Sequence, residues 1–167
     1  MKILGVRSGL FAAILGILGL GIAPISASAS TATTTLAVTA TVQSTCVISA
    51  TAAAFGTYTG LASTSTSSIS VTCTNTTPYN VGLNAGTASG ATVTNRSMTG
   101  PGSALLKYVL TQDTAHTVNW GQTVGTDTES GTGNGSAQTL TVYGQVAAGQ
   151  YVAPGSYSDT ITATVTY

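Results

Sequence analysis

The chemistry open to this sequence rests on few side chains: Cys46 and Cys73, His116, and the carboxylates Asp113, Asp127, Glu129 and Asp159. His116 comes three residues after Asp113, and a catalytic or metal role needs more partners than that one carboxylate. It reads as a turn or surface histidine. Asp113, Asp127 and Glu129 could be imagined as glycosidase carboxylates, but two of them lie beside or within a Gly-rich stretch and read as solvated. Asp159 stands on the otherwise apolar face of a C-terminal strand pattern. A carboxylate there is expected to accept bonds from backbone amides or to sit at a rim. No nucleophile–base pair and no metal-ligand spacing emerges, so no enzyme activity, metal or cofactor is expected.

The two cysteines are read through the compartment. Residues 1–29 have the form of a secretory signal: Lys2 and Arg7, then the apolar run Leu10 to Ile22, then the small-residue site Ala27-Ser28-Ala29. The run is short for a membrane span and lacks a basic stop-transfer cluster, so cleavage near Ser30 is expected rather than a retained anchor. In an exported chain a Cys46–Cys73 disulfide is the default. The alternatives, a metal pair or a reactive thiol, find no Cys-x-x-Cys and no second histidine. Closing a loop of about 27 residues is worth roughly 3.5 kcal/mol by chain entropy.

Without the signal, 138 of 167 residues remain, enough for one domain with a core. Arg96 and Lys107 then face four carboxylates, two against four, a net charge of −2. With no basic patch, nucleic acid and anionic membrane surfaces are poor candidate partners. Only 5% of the chain is charged, against an ordinary quarter. A surface of Thr, Ser, Asn and Gly offers little charge repulsion to self-association.

The elements that must position these residues are all strands. Thr33 to Val42 alternates Leu36, Val38, Ala40 and Val42 against threonines and one alanine, with no hairpin signal pairing it to its neighbour in the chain. Short strands are expected at Cys46–Ile48, Phe55–Tyr58, Ser68–Thr74, Tyr79–Leu83, Val93–Met98, Leu105–Thr111 and Gln138–Gln145. Gly60 to Ser67 reads as a loop, and Thr126 to Gln138, with Gly131, Gly133 and Gly135, as a mobile one. The final stretch is the cleanest strand: Tyr157, Asp159, Ile161, Ala163, Val165 and Tyr167 share a face opposite Ser158 and four threonines. Trp120 and most tyrosines are assigned to core packing rather than to a sugar site. The class is all-β, an immunoglobulin-like sandwich.

These pieces together resemble the spore coat protein U domain family, shared with major subunits of archaic chaperone–usher pili. The matching residues are Cys46-Val47-Ile48, Phe55-Gly56-x-Tyr58, Val71-Thr72-Cys73-Thr74 and Pro78-Tyr79-x-Val81-x-Leu83. Arg96-x-Met98, Leu106-x-Tyr108-x-Leu110 with Asp113, Trp120-Gly121 and Thr141-Val142-Tyr143-Gly144 continue the match. Gly155-x-Tyr157-x-Asp159-Thr160 and Val165-Thr166-Tyr167 close it.

The resemblance implies a pilin-type sandwich lacking its last strand. A periplasmic chaperone would fill the groove first, and the N-terminal extension of an identical or related subunit would replace it at an outer-membrane usher. The implied divisions are 1–29 signal, 30–45 donor-strand extension and 46–167 sandwich. Leu36, Val38, Ala40 and Val42 would fill the groove of the next subunit. Gly155, Tyr157, Ile161, Ala163, Val165 and Tyr167 would form the C-terminal strand met by the chaperone. Related fimbrial subunits have a glycine twelve residues before a penultimate tyrosine; Gly155 and Tyr167 keep the spacing with the tyrosine last. The expected function is a structural subunit of a surface fibre, exported through the periplasm. The alternatives are a spore coat or extracellular matrix protein of the same fold, and a carbohydrate-binding adhesin.

Overall fold

Alternating β-branched and polar residues set the strands, and the structure, a computed structural model describing residues 27–167, joins them into two antiparallel sheets. In chain order the strands are β1 (Cys46–Ala50), β2 (Ser63–Cys73), β3 (Pro78–Leu83), β4 (Arg96–Thr99), β5 (Leu105–Thr111), β6 (Glu129–Thr132), β7 (Gln138–Val146) and β8 (Ala163–Thr166). One sheet has the order β1-β2-β7-β5-β4 and the other β6-β3-β8. This is the all-β, immunoglobulin-like sandwich expected from the pattern. Two units separate, Met1–Thr39 and Ala40–Tyr167, and the strands lie in the second. Most of the expected signal, residues 1–26, falls outside the described residues. Among the described ones no helix is long and apolar enough to cross a membrane.

The inner faces follow the period of two. Ile69, Val71 and Cys73 of β2, Leu106, Tyr108 and Leu110 of β5, and Val142 and Val146 of β7 are buried with Tyr79, Val81 and Leu83 of β3. Each such Val or Leu contributes about 1.5–3 kcal/mol of burial. Trp120 ties the sheets together. Its backbone N–H donates to Leu110 O at 3.0 Å and its indole Nε1–H to Val81 O at 2.8 Å.

Cys46 and Cys73 stand directly opposite each other in the β1–β2 ladder and are bonded as a disulfide. Reduction should lower the stability of the isolated domain by about 3 kcal/mol, roughly 10 °C in Tm. Thermal unfolding with and without dithiothreitol measures this, and an unchanged Tm would mean that the ladder alone holds β1.

Several expectations are corrected. Ser63 to Ser67 is not a loop but the first half of β2, paired from Ser63↔Val146 to Ser67↔Val142. Its inward positions are serines, whose small hydroxyls hide the alternation, and the Phe55 ring packs over Gly144 beside them. Phe55–Tyr58 itself forms no strand. The Val93–Met98 strand begins at Arg96 instead and runs to Thr99.

The Gly-rich stretch 126–138 contains β6, which pairs with β3 from Pro78↔Thr132 to Val81↔Glu129. Its glycines make room: a Cβ at Gly131 would fall 2.4 Å from the Tyr79 ring, and one at Gly133 2.4 Å from Thr74 O. The last strand is shorter than its pattern, since only Ala163–Thr166 pairs with β3. Above it the chain crosses to the other sheet, where Ser158 and Thr99 exchange backbone bonds of 2.9 and 3.1 Å. One segment thus borders both sheets.

Candidate functional site

The crossing leaves the sandwich open along one side. β1 pairs only with β2, and β8 only with β3, so each presents a row of backbone groups without a ladder partner among the described residues. Past the ends of these strands, beyond Ala50 of β1 and ahead of Ala163 of β8, runs a groove of about 410 Å³. One wall is the chain after β1, from Ala50 to Phe55; the other is Tyr157 to Ala163. Its floor is the core itself, with Ile69, Leu83, Leu110 and Val142 reached from outside. A second recess of about 790 Å³ prolongs it past Phe55 and Met98 to Gly60 and Tyr151. Tyr157, Ile161, Ala163 and Val165, on the alternating face of the last segment, are only half-buried. An apolar strand face left half-covered is what a missing neighbouring strand produces.

The wall is held in shape by polar contacts. Asp159 accepts from Tyr108 Oη–H at 2.6 Å, from Thr87 N–H and Oγ1–H at 2.8 Å each, and from Thr160 N–H at 2.7 Å. The amide bonds anticipated for this carboxylate are therefore present, and a tyrosine joins them. Burial alone would raise its pKa, but these four bonds outweigh it and hold the carboxyl below its usual range. Burial and the same bond push the Tyr108 phenol well above its ordinary value.

The signs give a pH window. The Asp159 contribution is complete above the unfolded value near 3.9 and is lost as pH falls through the lower folded value. The Tyr108 contribution is complete below about 10 and is lost only as pH rises beyond it. Thermal unfolding should therefore respond to this pair only in strong acid or strong alkali. Asp159→Asn should flatten the acid limb, and an unchanged acid limb would remove the pair from the account.

Gly155 turns the chain into this wall at φ +147°, where a Cβ would fall 2.4 Å from Pro101 Cγ. The Tyr157 ring packs on Gly100, and its hydroxyl donates to Ala153 O at 2.6 Å. Of the C-terminal residues singled out in the sequence, Tyr157, Ile161 and Ala163 line the groove, Val165 sits in the β3–β8 ladder, and Tyr167 is the exposed last residue. The extension is another matter. Residues 27–45 form no strand, Leu36 and Val38 are each 86% exposed, Val42 is 85% exposed, and Ala40 is exposed too.

The candidate chemical groups serve the fold. Asp113 accepts from Thr117 N–H and Oγ1–H and from Val118 N–H, and the Val118 bond leads in lowering its pKa. Asp127 accepts from Thr123 N–H at 2.7 Å. His116 Nδ1 lies 3.1 Å from Thr111 Oγ1 in a tight turn.

Arg96 entered the sequence reading only through the charge count and the family match, and its interior role was missed: it is 0% exposed. Its guanidinium donates to Asn84 O (2.8 Å), Val93 O (2.6 Å), Leu83 O (2.9 Å) and Trp120 O (2.7 Å). Burial lowers its pKa, but an arginine remains charged. The available signal was an isolated arginine among small polar residues, with Met98 at i+2.

The Spore Coat Protein U domain matches residues 32–164 of the chain. The chain belongs to this family. "Protein U" of Myxococcus xanthus is 38% identical over 87 residues, covering 52% of this chain and 48% of that protein. A chain in the crystal structure of the CsuC-CsuE chaperone-tip adhesion subunit pre-assembly complex, from archaic chaperone-usher Csu pili of Acinetobacter baumannii, has a similar fold. Its identity is 26% and its TM-score 0.57, over 76% of this chain and 41% of that one. The spore coat U domain chain described here thus spans about half or less of the proteins it matches.

Proposed function

We propose that this chain is a structural subunit of a secreted surface fibre, a fimbria or pilus, assembled by donor-strand exchange. After export, a periplasmic chaperone occupies the groove; the extension of a second, identical or related subunit then replaces it at an outer-membrane usher. The observation carrying this reading is the apolar groove between residues 50–55 and 157–163, continuous with two unpaired strand edges, in a chain that also has an exposed, alternating extension. Main-chain bonds to a free edge supply affinity, and alternate side chains fill successive pockets. Leu36, Val38, Ala40 and Val42 are the set that enters. Gly155, Tyr157, Ile161, Ala163, Val165 and Tyr167 belong to the C-terminal segment they lie against, which the chaperone meets first. The similarity to a chain from a chaperone–subunit complex supports the chaperone step. Residues 30–45 are accordingly the donor extension and 46–167 the acceptor domain, after a signal at 1–29.

Deleting Thr33 to Val42 tests this. The shortened chain should still co-purify with its chaperone but should not add to a growing fibre. Polymerisation equal to that of the full chain would sink strand exchange through this segment.

A further inference from the structure

The end of the domain that holds the second recess carries two exposed apolar side chains, Leu61 and Tyr151. Tyr151 is 93% exposed and Leu61 72%. Their segments lie side by side: a Cβ on Gly60, next to Leu61 in the chain, would lie 3.6 Å from the Tyr151 ring, and Gly149 N–H donates to Gly60 O at 2.9 Å. The segment beneath them is rigid. The Tyr58 hydroxyl donates to Ala147 O at 2.7 Å and accepts from Gln150 N–H at 3.0 Å. The Gln150 side chain bonds both N–H and O of Lys107, at 2.8 and 2.9 Å. Two large apolar groups held out on a fixed platform are a contact surface seeking a partner.

The length of chain leading out of the groove says which partner. All ladders of the described sandwich are antiparallel, so a donor strand extending the free edge of β8 runs opposite to it. The last segment runs from Tyr157 through β8 to Tyr167, so the donor runs the other way, and its Val42 emerges at the end bearing Leu61 and Tyr151. Only Gln43, Ser44 and Thr45 separate Val42 from Cys46, where the donor's own sandwich begins. Four residue steps span at most ~14 Å.

The base of that sandwich, at Cys46 and the Cys73–Pro78 turn, must therefore stand against this tip. The base residues Thr45, Val47, Asn75 and Thr76 are exposed and uncharged, as are Gly60, Leu61, Gln150 and Tyr151 of the tip but for half-covered Gly60 and Gln150. No like-charge repulsion opposes the contact.

Resting on the donor-strand reading above, we propose that Leu61 and Tyr151 form an end-on contact with the next copy of this chain, against its base around Thr45, Val47 and the Asn75-Thr76 turn. Strand insertion joins the subunits, and this contact sets the angle between them. The apolar pair removes water from one side of a short linker that would otherwise act as a hinge.

The test uses assembled fibres of the full chain with a benzophenone amino acid at position 151. Irradiation should link Tyr151's position to peptides containing residues 45–47 or 74–77 of a second copy, identified by mass spectrometry. Fibres that assemble but link elsewhere, to another protein, or not at all would overturn the contact while leaving strand exchange standing. Absence of polymer from the unmodified chain would remove both. The variant Leu61→Ser, altered at an exposed position outside the groove and its recess, should polymerise at wild-type yield into fibres several-fold more flexible in electron micrographs. Unchanged stiffness would also overturn the proposal.

Discussion

If assembly proceeds by the proposed strand exchange, Val38→Asp is expected to abolish it, whereas Thr39→Asp should leave most of it. Both residues are exposed in the extension as it stands, so neither substitution disturbs the sandwich of the subunit that carries it. On that proposal, the difference arises when the strand enters the groove of another copy. Side chains of a strand alternate between faces, so Val38 enters with Leu36, Ala40 and Val42 while Thr39 faces out. A carboxylate at 38 would meet a floor made of Ile69, Leu83, Leu110 and Val142, with the nearby Tyr108 hydroxyl already given to Asp159. Burying it unpaired costs several kcal/mol. About 4 kcal/mol is already a thousandfold loss of affinity. The measurement is fibre yield at equal expression, with circular dichroism confirming the fold of each variant. Equal loss from both would mean a strand buried on both faces, and equal tolerance would remove the groove from the assembly mechanism.

Arg96→Met is expected to unfold the domain or prevent its accumulation. The side chain is completely buried and its four bonds all go to backbone carbonyls, those of Leu83, Asn84, Val93 and Trp120. Those carbonyls belong to the end of β3, the loop before β4 and the Trp120 segment, which no ladder joins at that point. Methionine matches the volume but leaves the acceptors without donors in a dry interior, at about 1–3 kcal/mol for each one that finds no water. A loss of about 3–5 kcal/mol is the scale for breaking a buried charged network, a large share of the 5–15 kcal/mol that holds typical domains folded. Arg96→Lys should recover only part, because an ammonium cannot span four fixed acceptors. Urea unfolding of the purified variants decides it, and a midpoint equal to wild type would mean that other groups satisfy these carbonyls.

Which faces are buried was legible along β3, β5 and β7, because alternation of apolar and polar residues is local and burial tracks it. Tyr79, Val81 and Leu83, or Leu106, Tyr108 and Leu110, needed no partner to be recognised. Where the alternation was written in serine and glycine it could not be read. Ser63 to Ser67 and Glu129 to Thr132 are strands because distant backbone, Val142 to Val146 and Pro78 to Val81, offers them ladders. The glycines of the second stretch signal close packing against Tyr79 and Thr74, a contact that composition cannot distinguish from looseness.

By itself the sequence determined the all-β class, the main core faces, the pair of cysteines available for bridging and the alternating character of residues 33–42. All of these depend on residue type and spacing of two along one segment. Tertiary structure alone decided that the last segment leaves one sheet for the other at Asp159, so that β8 is short and a groove stays open beside it. It also decided that Arg96 is interior, since its four acceptors come from three separate segments that meet only when the sheets have packed. Alternation states which side of a strand avoids water. Which edges remain unpaired depends on the arrangement of all the strands, and here the unpaired edges frame the site.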